Sequence, residues 1–174
     1  TFASTEERPV ARTYAAHPPA PERQTAADVR RKSEGCVSCH TTTDNASMHA
    51  NPAVIMGCSD CHGGDATQTK PRDAVATAPA YIVARDAALV LPRYPHAWKF
   101  PSSANPAQSY TLLNREAREF IRFVNPGDYR VARESCGACH LATIQAAERS
   151  LMATSAMLWG GAAYNNGILP FKRY

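Results

Sequence analysis

The pattern of apolar and polar positions follows a helical period most clearly after residue 110. Between residues 111 and 124, the apolar side chains recur at the spacing of one helix face: Leu113, Ala117, Phe120, Ile121 and Val124. The four residues that follow, Asn-Pro-Gly-Asp at 125–128, are typical of a turn. We therefore predict a helix over 111–124 that belongs to the core and is not itself a site.

Two further elements are predicted from the same pattern. A second helix begins near Cys136, and Gly160-Gly161 is a suitable stop for it. Its apolar positions are Leu141, Ile144, Leu151 and Leu158. A shorter apolar stretch at residues 80–91 fits either a strand or a helix.

Proline makes much of the remaining chain irregular, because its ring fixes φ and removes a backbone donor. Residues 1–25 contain four prolines and are predicted to form an extended N-terminal arm. Residues 66–110 contain six more. We expect a mainly α fold with extensive irregular loops, few short helices and little sheet. The arm at 1–25 would precede one domain at 26–174.

Three copies of one pentapeptide change this picture. They are Cys36-Val37-Ser38-Cys39-His40 (motif one), Cys58-Ser59-Asp60-Cys61-His62 (motif two) and Cys136-Gly137-Ala138-Cys139-His140 (motif three), and they contain all six cysteines. Cys-x-x-Cys-His is the attachment signature of c-type haem. The two thiols form thioethers to the haem vinyl groups, and the histidine is placed as the proximal iron ligand. The sequence therefore predicts three covalent haems c, with His40, His62 and His140 as ligands.

Three histidines remain, which is one for each haem: His17, His49 and His96. Bis-histidine ligation of all three irons would use them all, although each is also an ordinary candidate for the surface. His49 lies midway between motifs one and two. His96 follows Pro95, and the nearby Trp98 can pack on a porphyrin face. His17, in the arm, can reach a haem of this chain or of a neighbouring copy.

Two other uses of the cysteines are open at this point. Motifs one and two together have the C-x2-C-x18-C-x2-C spacing of a four-cysteine zinc site. Three short disulfides are the other alternative. Neither explains why histidine follows the second cysteine in all three motifs, so haem attachment is the preferred interpretation.

Composition agrees with a cofactor-rich interior. Leu, Ile, Val and Phe make up only 27 of 174 residues, which is little for an aliphatic core. Porphyrin rings would supply the missing apolar surface, and we expect the haem-free chain to be poorly folded. The net charge of +4 is offset by haem propionates, so no nucleic-acid partner is predicted.

Motif spacing and the ends of the chain give two further expectations. The first two motifs begin at Cys36 and Cys58, so their haems should lie close together, whereas motif three begins at Cys136 on a separate helical segment. No apolar run is long enough for a transmembrane helix. The chain begins without Met and reads as an exported chain whose signal has been removed. Because haem c is attached outside the bacterial inner membrane, we expect a periplasmic or extracellular location.

The three motifs and the spare histidines resemble those of the multihaem c-type cytochromes, a large and loosely related group. The resemblance implies electron transfer through closely packed, mostly bis-histidine haems, with redox proteins as partners. It also allows contacts with neighbouring copies or other multihaem subunits, as in filaments, through the arm and the apolar C-terminal tail. An electron-transfer protein without catalytic residues is the first hypothesis. The alternative is a reductase or oxidase subunit with one open, five-coordinate haem.

Overall fold

The computed structural model describes residues 7–41, 51, 53–98 and 110–170 of the chain. Its α-helices run over Ala26–Arg31 (α1), Glu34–Cys39 (α2), Cys58–His62 (α3), Pro79–Ala88 (α4), Arg118–Val124 (α5), Ala132–Glu148 (α6), Leu151–Thr154 (α7) and Ala156–Asn165 (α8). Two 3-10 helices, at Pro95–Ala97 and Tyr110–Arg115, lie between α4 and α5. The described residues contain no strand, and long irregular segments connect their helices. The prediction of a mainly helical fold with extensive loops is confirmed.

The helix predicted over 111–124 is divided into two. Tyr110–Arg115 winds as a 3-10 helix, and α5 begins only after Ala117, whose backbone is extended (φ −71°, ψ 151°). At the break, the buried carboxylate of Glu116 accepts hydrogen bonds from two backbone N–H groups of the preceding loop. The prediction of one continuous helix is therefore wrong, whereas the turn predicted at 125–128 is confirmed.

The long helix predicted from near Cys136 to Gly160-Gly161 is also interrupted. Backbone angles leave the helical region at His140 (φ −115°, ψ 20°) inside α6. Ser155 adopts a left-handed conformation (φ 52°) and separates α7 from α8. The paired glycines do not stop α8, which continues to Asn165. The prediction failed because apolar spacing does not register a single left-handed residue.

Local sequence explains where two shorter helices begin. Before α1, the hydroxyl of Thr25 accepts from the N–H of Asp28 at 3.2 Å, and the Thr25 N–H donates to the Asp28 carboxylate at 3.0 Å. This reciprocal pair is a capping box. α4 begins at Pro79, where a missing N–H costs no helical hydrogen bond. The strand-or-helix alternative at 80–91 is thus decided in favour of a helix.

A small apolar core surrounds the start of α5. Its buried members are Val90, Trp98, Leu113, Phe120, Ile121 and Val131. The rings of Trp98 and Phe120 pack with their centroids 5.4 Å apart, and the Trp98 indole N–H donates to Glu116 at 2.8 Å. Trp98 is only 5% exposed, so it belongs to the protein core, and the expectation that it packs on a porphyrin face is wrong.

The N-terminal arm is bound along the loop that follows α4. Its extended backbone and side chains donate to carbonyl oxygens there: Val10 N–H to Arg93 (2.8 Å), Arg12 Nε to Pro92 (2.7 Å) and the Tyr14 hydroxyl to Leu91 (2.9 Å). Further along, the Ala20 N–H donates to the Glu134 carbonyl at 2.8 Å. The arm therefore has a defined path past the elements that carry the motifs.

The chain forms two compact units, residues 1–139 and residues 140–174. The first contains the arm, α1–α5 and the start of α6. The second contains the rest of α6 with α7 and α8, and its residues 151–170 carry no charged side chain. Several of its large apolar residues are exposed, among them Met152, Leu158, Trp159 and Ile168. Docking through this tail stays a prediction.

Candidate haem-attachment site

Motif one is built on α2, which ends at Cys39, so that His40 forms its C-terminal cap. The N–H of Gly35, immediately before the motif, donates to the carbonyl of Ala66 at 2.7 Å. A β-carbon at position 35 would lie 2.2 Å from the Gln68 carbonyl oxygen and 2.4 Å from that of Ala66. Only glycine allows the chain after motif two to pass this close to motif one.

Motif two forms α3, and a buried carboxylate organises its start. Asp60, 5% exposed, accepts from the N–H of Gly57 at 2.8 Å, which closes the first turn. It also accepts from Gln24 Nε2 at 2.6 Å and from Lys32 Nζ at 2.5 Å. Three donors satisfy this carboxylate, so the motif is tied to both ends of α1.

The first two motifs adjoin each other at their N-terminal ends. The N–H of Cys58 donates to the hydroxyl of Ser33 at 3.0 Å, and the N–H of Ser59 donates to the carbonyl of Lys32 at 3.1 Å. Ser33 is itself the residue that precedes α2. The motif spacing predicts closely placed haems at motifs one and two, and this stays a prediction. The structure shows that motif two contacts Lys32 and Ser33, a few residues before motif one.

The histidine of motif two has a defined ring orientation. Its Nδ1 lies 2.6 Å from the carbonyl oxygen of Phe123 in α5, and the two rings meet edge to face with centroids 6.3 Å apart. A carbonyl can only accept, so Nδ1 of His62 carries the proton. The unprotonated Nε2 is then the nitrogen that can bind a metal. The His62 side chain is exposed, so this nitrogen is accessible.

Motif three begins beside motif two. Ser135, 2% exposed, donates its hydroxyl to the carbonyl of Cys61 at 3.2 Å. Burial raises the pKa of the Cys61 thiol, and the nearby Cys136 thiol raises it further. The expected separate helix carries motif three, and the structure adds that this helix starts against motif two. Motif two therefore lies next to both others.

An open cleft joins motif two to the arm. It is lined by Ala16, His17, His62, Gly63, Val90, Arg118, Glu119, Arg122 and Glu134. The half-buried ring of His17 packs on Gly63, where a β-carbon would lie 3.2 Å from His17 Cδ2. Gly63 also has a positive φ (66°), which side chains disfavour. Glycine is therefore needed at position 63 both for the backbone conformation and for the contact with His17.

The protonation of His17 suits a ligand role. Burial lowers the pKa of this imidazole, and the positive charge of Arg122 lowers it further, against the opposite effect of Asp65. The neutral ring is the form that binds metals. His17 and His62 are thus two imidazoles on one cleft.

Arg122 of α5 holds the arm and motif two together. The side chain is buried (4% exposed) and donates four hydrogen bonds, all to backbone carbonyl oxygens. Nη1 donates to His17 (3.2 Å), Nη2 to Pro18 (3.0 Å) and Asp60 (2.6 Å), and Nε to Cys61 (3.2 Å). Two of these carbonyls belong to the arm and two to motif two.

The other candidate histidine ligands do not line this cleft within the part of the chain that the structure describes. His96 is exposed on the 3-10 helix Pro95–Ala97, and its N–H donates to the Glu7 carboxylate at 2.9 Å. His40 and His140 are exposed at the ends of their motifs. His49 lies outside the described residues.

The structure also bears on the alternatives to haem. None of the six cysteines, all of which it describes, forms a disulfide. In the described part of the chain, no three His, Cys, Asp or Glu side chains converge as a metal site. The zinc hypothesis needs Cys36, Cys39, Cys58 and Cys61 to converge, and they do not. Three separate attachment motifs, each with its own histidine, fit haem c.

Sequence reasoning missed the residues that support the motifs. Asp60, Glu116, Arg122 and Ser135 are all buried polar residues. The available signal was a charge next to apolar neighbours: Arg122 directly follows the core residue Ile121. Such a charge is buried only when it has a specific set of partners.

Comparison with known proteins supports the same chemistry. Residues 6–63 match the family described as Cytochrome c554 and c-prime. This segment contains most of the arm, His17, and motifs one and two, whereas motif three lies beyond it. No curated protein and no solved structure gives a match to the chain. Within the described ranges, no helix is both long and apolar enough to cross a bilayer. Residues 6–63, a third of the chain, are thus similar to the cytochrome c554 and c-prime family of c-type cytochromes.

Proposed function

We propose that this chain transfers electrons through three c-type haems bound covalently at its three motifs. The observation that carries the proposal is the hydrogen bond from His62 Nδ1 to the Phe123 carbonyl, which leaves Nε2 for iron. A bound haem supplies an iron that exchanges single electrons, at a potential set by its ligands, burial and hydrogen bonds. The other two motifs repeat the same residue pattern.

The number of candidate histidine ligands favours a carrier over an enzyme. His17 faces the same cleft as His62, so the haem of motif two has a candidate second imidazole ligand within the chain. His49 and His96 are the candidates for the other two irons. An iron with two histidine ligands has no position for a substrate and acts only in electron exchange.

In this proposal, the haem of motif two lies between the other two haems in the order of electron transfer. Its backbone bonds to Ser33, next to motif one, and to Ser135, next to motif three. An electron that passes between the first and third haems would therefore pass the second. Its partners would be redox proteins at the periplasm or cell exterior, or other copies and multihaem subunits that bind the arm or the tail.

Haem content and spin state of the intact, oxidised protein test the proposal. We expect three haems per chain, all low-spin with bis-histidine signals in low-temperature EPR. Fewer than three haems would contradict the attachment proposal. A high-spin signal from one haem in three would instead favour the reductase or oxidase alternative with an open iron.

Variants then assign the ligands. His17→Ala should turn one haem high-spin, while Pro18→Ala, the next residue of the arm, keeps the backbone carbonyl and should leave all three low-spin. His49→Ala and His96→Ala should each affect a different haem. A low-spin spectrum in His17→Ala would remove His17 from the ligand set.

A further inference from the structure

The buried guanidinium of Arg122 has an unusual set of partners. Its four hydrogen bonds end on carbonyls of two segments that are far apart in sequence, the arm at 17–18 and motif two at 60–61. A buried cation is costly unless its donors are satisfied. If either segment moved away, two of these bonds would be lost inside the protein.

Geometry explains why the residue is arginine. The guanidinium presents five donors in a planar fork, so that one side chain can address several carbonyls in different directions. A lysine would place three donors on one nitrogen atom. Arg118, one helical turn earlier on α5, lines the same cleft, but its side chain is 60% exposed and pairs with Glu134. The two arginines share a helix and a cleft and differ in burial.

We propose that Arg122 is a positioning residue that holds the arm's His17 at the cleft of motif two, where His17 would be the second histidine ligand of the haem. The inference rests on the proposed function, because it takes His17 as that ligand. Arg122 touches no iron in this scheme. It acts through the carbonyl of His17 itself, which is the shortest backbone route to the imidazole.

Binding of CO to the reduced, intact protein tests the inference. CO can bind a six-coordinate iron only after a ligand leaves, so its rate reports how often the imidazole dissociates. Arg122→Lys should raise this rate at one haem of three by at least about tenfold, the effect of losing about one hydrogen bond to a charged group. Arg85→Lys, at an arginine of α4 that pairs with Asp86 and does not line the cleft, is the control and should bind CO as the parent does.

A second variant distinguishes the loss of one histidine ligand from general misfolding. Arg122→Gln should show one high-spin haem in EPR, and added imidazole should return it to low spin by filling the open position. If Arg122→Lys and Arg122→Gln both match the parent in CO rate and spin state, the inference is wrong. It is equally wrong if imidazole fails to restore the spectrum, because the change is then general unfolding.

The parent protein separates this failure from that of the proposed function. A parent with three low-spin haems and slow CO binding upholds the ligation, and only the Arg122 variants then decide the inference. A parent that already binds CO at one haem at the variant's rate overturns both.

Discussion

The Nδ1 atom of His62 lies 2.6 Å from the carbonyl oxygen of Phe123, and this contact joins motif two to α5. The two elements also pack against each other through the side chains of the same residues. The orientation of the His62 imidazole is thus set by a backbone atom, which substitution of the Phe123 side chain does not remove.

Phe123→Ala should therefore remove the packing of the Phe123 ring while it leaves the orientation of the His62 imidazole unchanged. The carbonyl acceptor stays, so three haems should still attach, while loss of the partly buried ring should lower the free energy of unfolding by about 2 kcal/mol. Urea denaturation and haem quantification on one sample measure both effects. If the variant lost the haem at motif two and its free energy of unfolding were unchanged, the Phe123 side chain and not its carbonyl would be needed for attachment, contrary to this prediction.

Glu116 should be essential for the loop that carries His96. Its carboxylate accepts from the N–H groups of Arg93 (2.7 Å) and Tyr94 (3.0 Å) and from the Trp98 indole (2.8 Å). Glu116→Ala leaves three donors without their acceptor and should cost about 3 kcal/mol or more. Glu116→Gln keeps one oxygen, which can serve the two donors that now share Oε1, and should cost about 1–2 kcal/mol. Equal stability of the two variants in urea would count against this account.

Gly35→Ala should disrupt motif one. The added carbon would meet two backbone carbonyl oxygens at 2.2 and 2.4 Å, which a side-chain rotation cannot relieve. We expect the protein to carry fewer haems, measured by mass spectrometry of the purified chain. Gly137→Ala in motif three is the control, because its added carbon would lie 3.7 Å from its nearest neighbour, Arg133 Cβ. A full haem complement in Gly35→Ala would show that the loop over motif one can move aside.

Asp60→Ala should reduce stability without preventing haem attachment. The corresponding position of motif three is already Ala138, so the attachment chemistry does not need a carboxylate there. The donors of Gln24, Gly57 and Lys32 would, however, lose their common acceptor, at a cost of about 3 kcal/mol. Urea denaturation of the haem-loaded variant measures this. A variant as stable as the parent would mean that water replaces the carboxylate fully.

Asp28 should make α1 sensitive to acid. Hydrogen bonds from the Thr25 hydroxyl and N–H, with the nearby Arg31, lower the pKa of this carboxyl from 3.8 to about 2. Because the pKa of Asp28 is lower in the folded state than in the unfolded state, the ionised carboxylate stabilises the folded protein at pH values above 3.8. That stabilisation is lost as the pH falls from 3.8 towards 2. In Asp28→Asn, the denaturation midpoint should fall less steeply over this range than in the parent. Parallel curves for the two proteins would show that the capping box contributes nothing there.

Sequence alone predicted the parts of this molecule that depend on neighbours in the chain. The three motifs, the turn after Val124 and the helical class all follow from short-range patterns. The helix break at Glu116 and the burial of Trp98 are linked by the hydrogen bond from the Trp98 indole to the Glu116 carboxylate. The two residues are 18 positions apart, so the helical spacing of apolar residues could not predict either feature. Arg122 was missed for the same reason, since its partners lie 61 to 105 residues away.

The long span between Arg122 and the arm also sets an order of events during synthesis. The arm leaves the ribosome first, yet its contacts at His17 and Pro18 wait for a residue made more than 100 positions later. The contacts that join motif two to the residues before motif one can therefore form without the arm, because they all precede α5 in the chain. The arm can be held at the cleft only once α5 has been made.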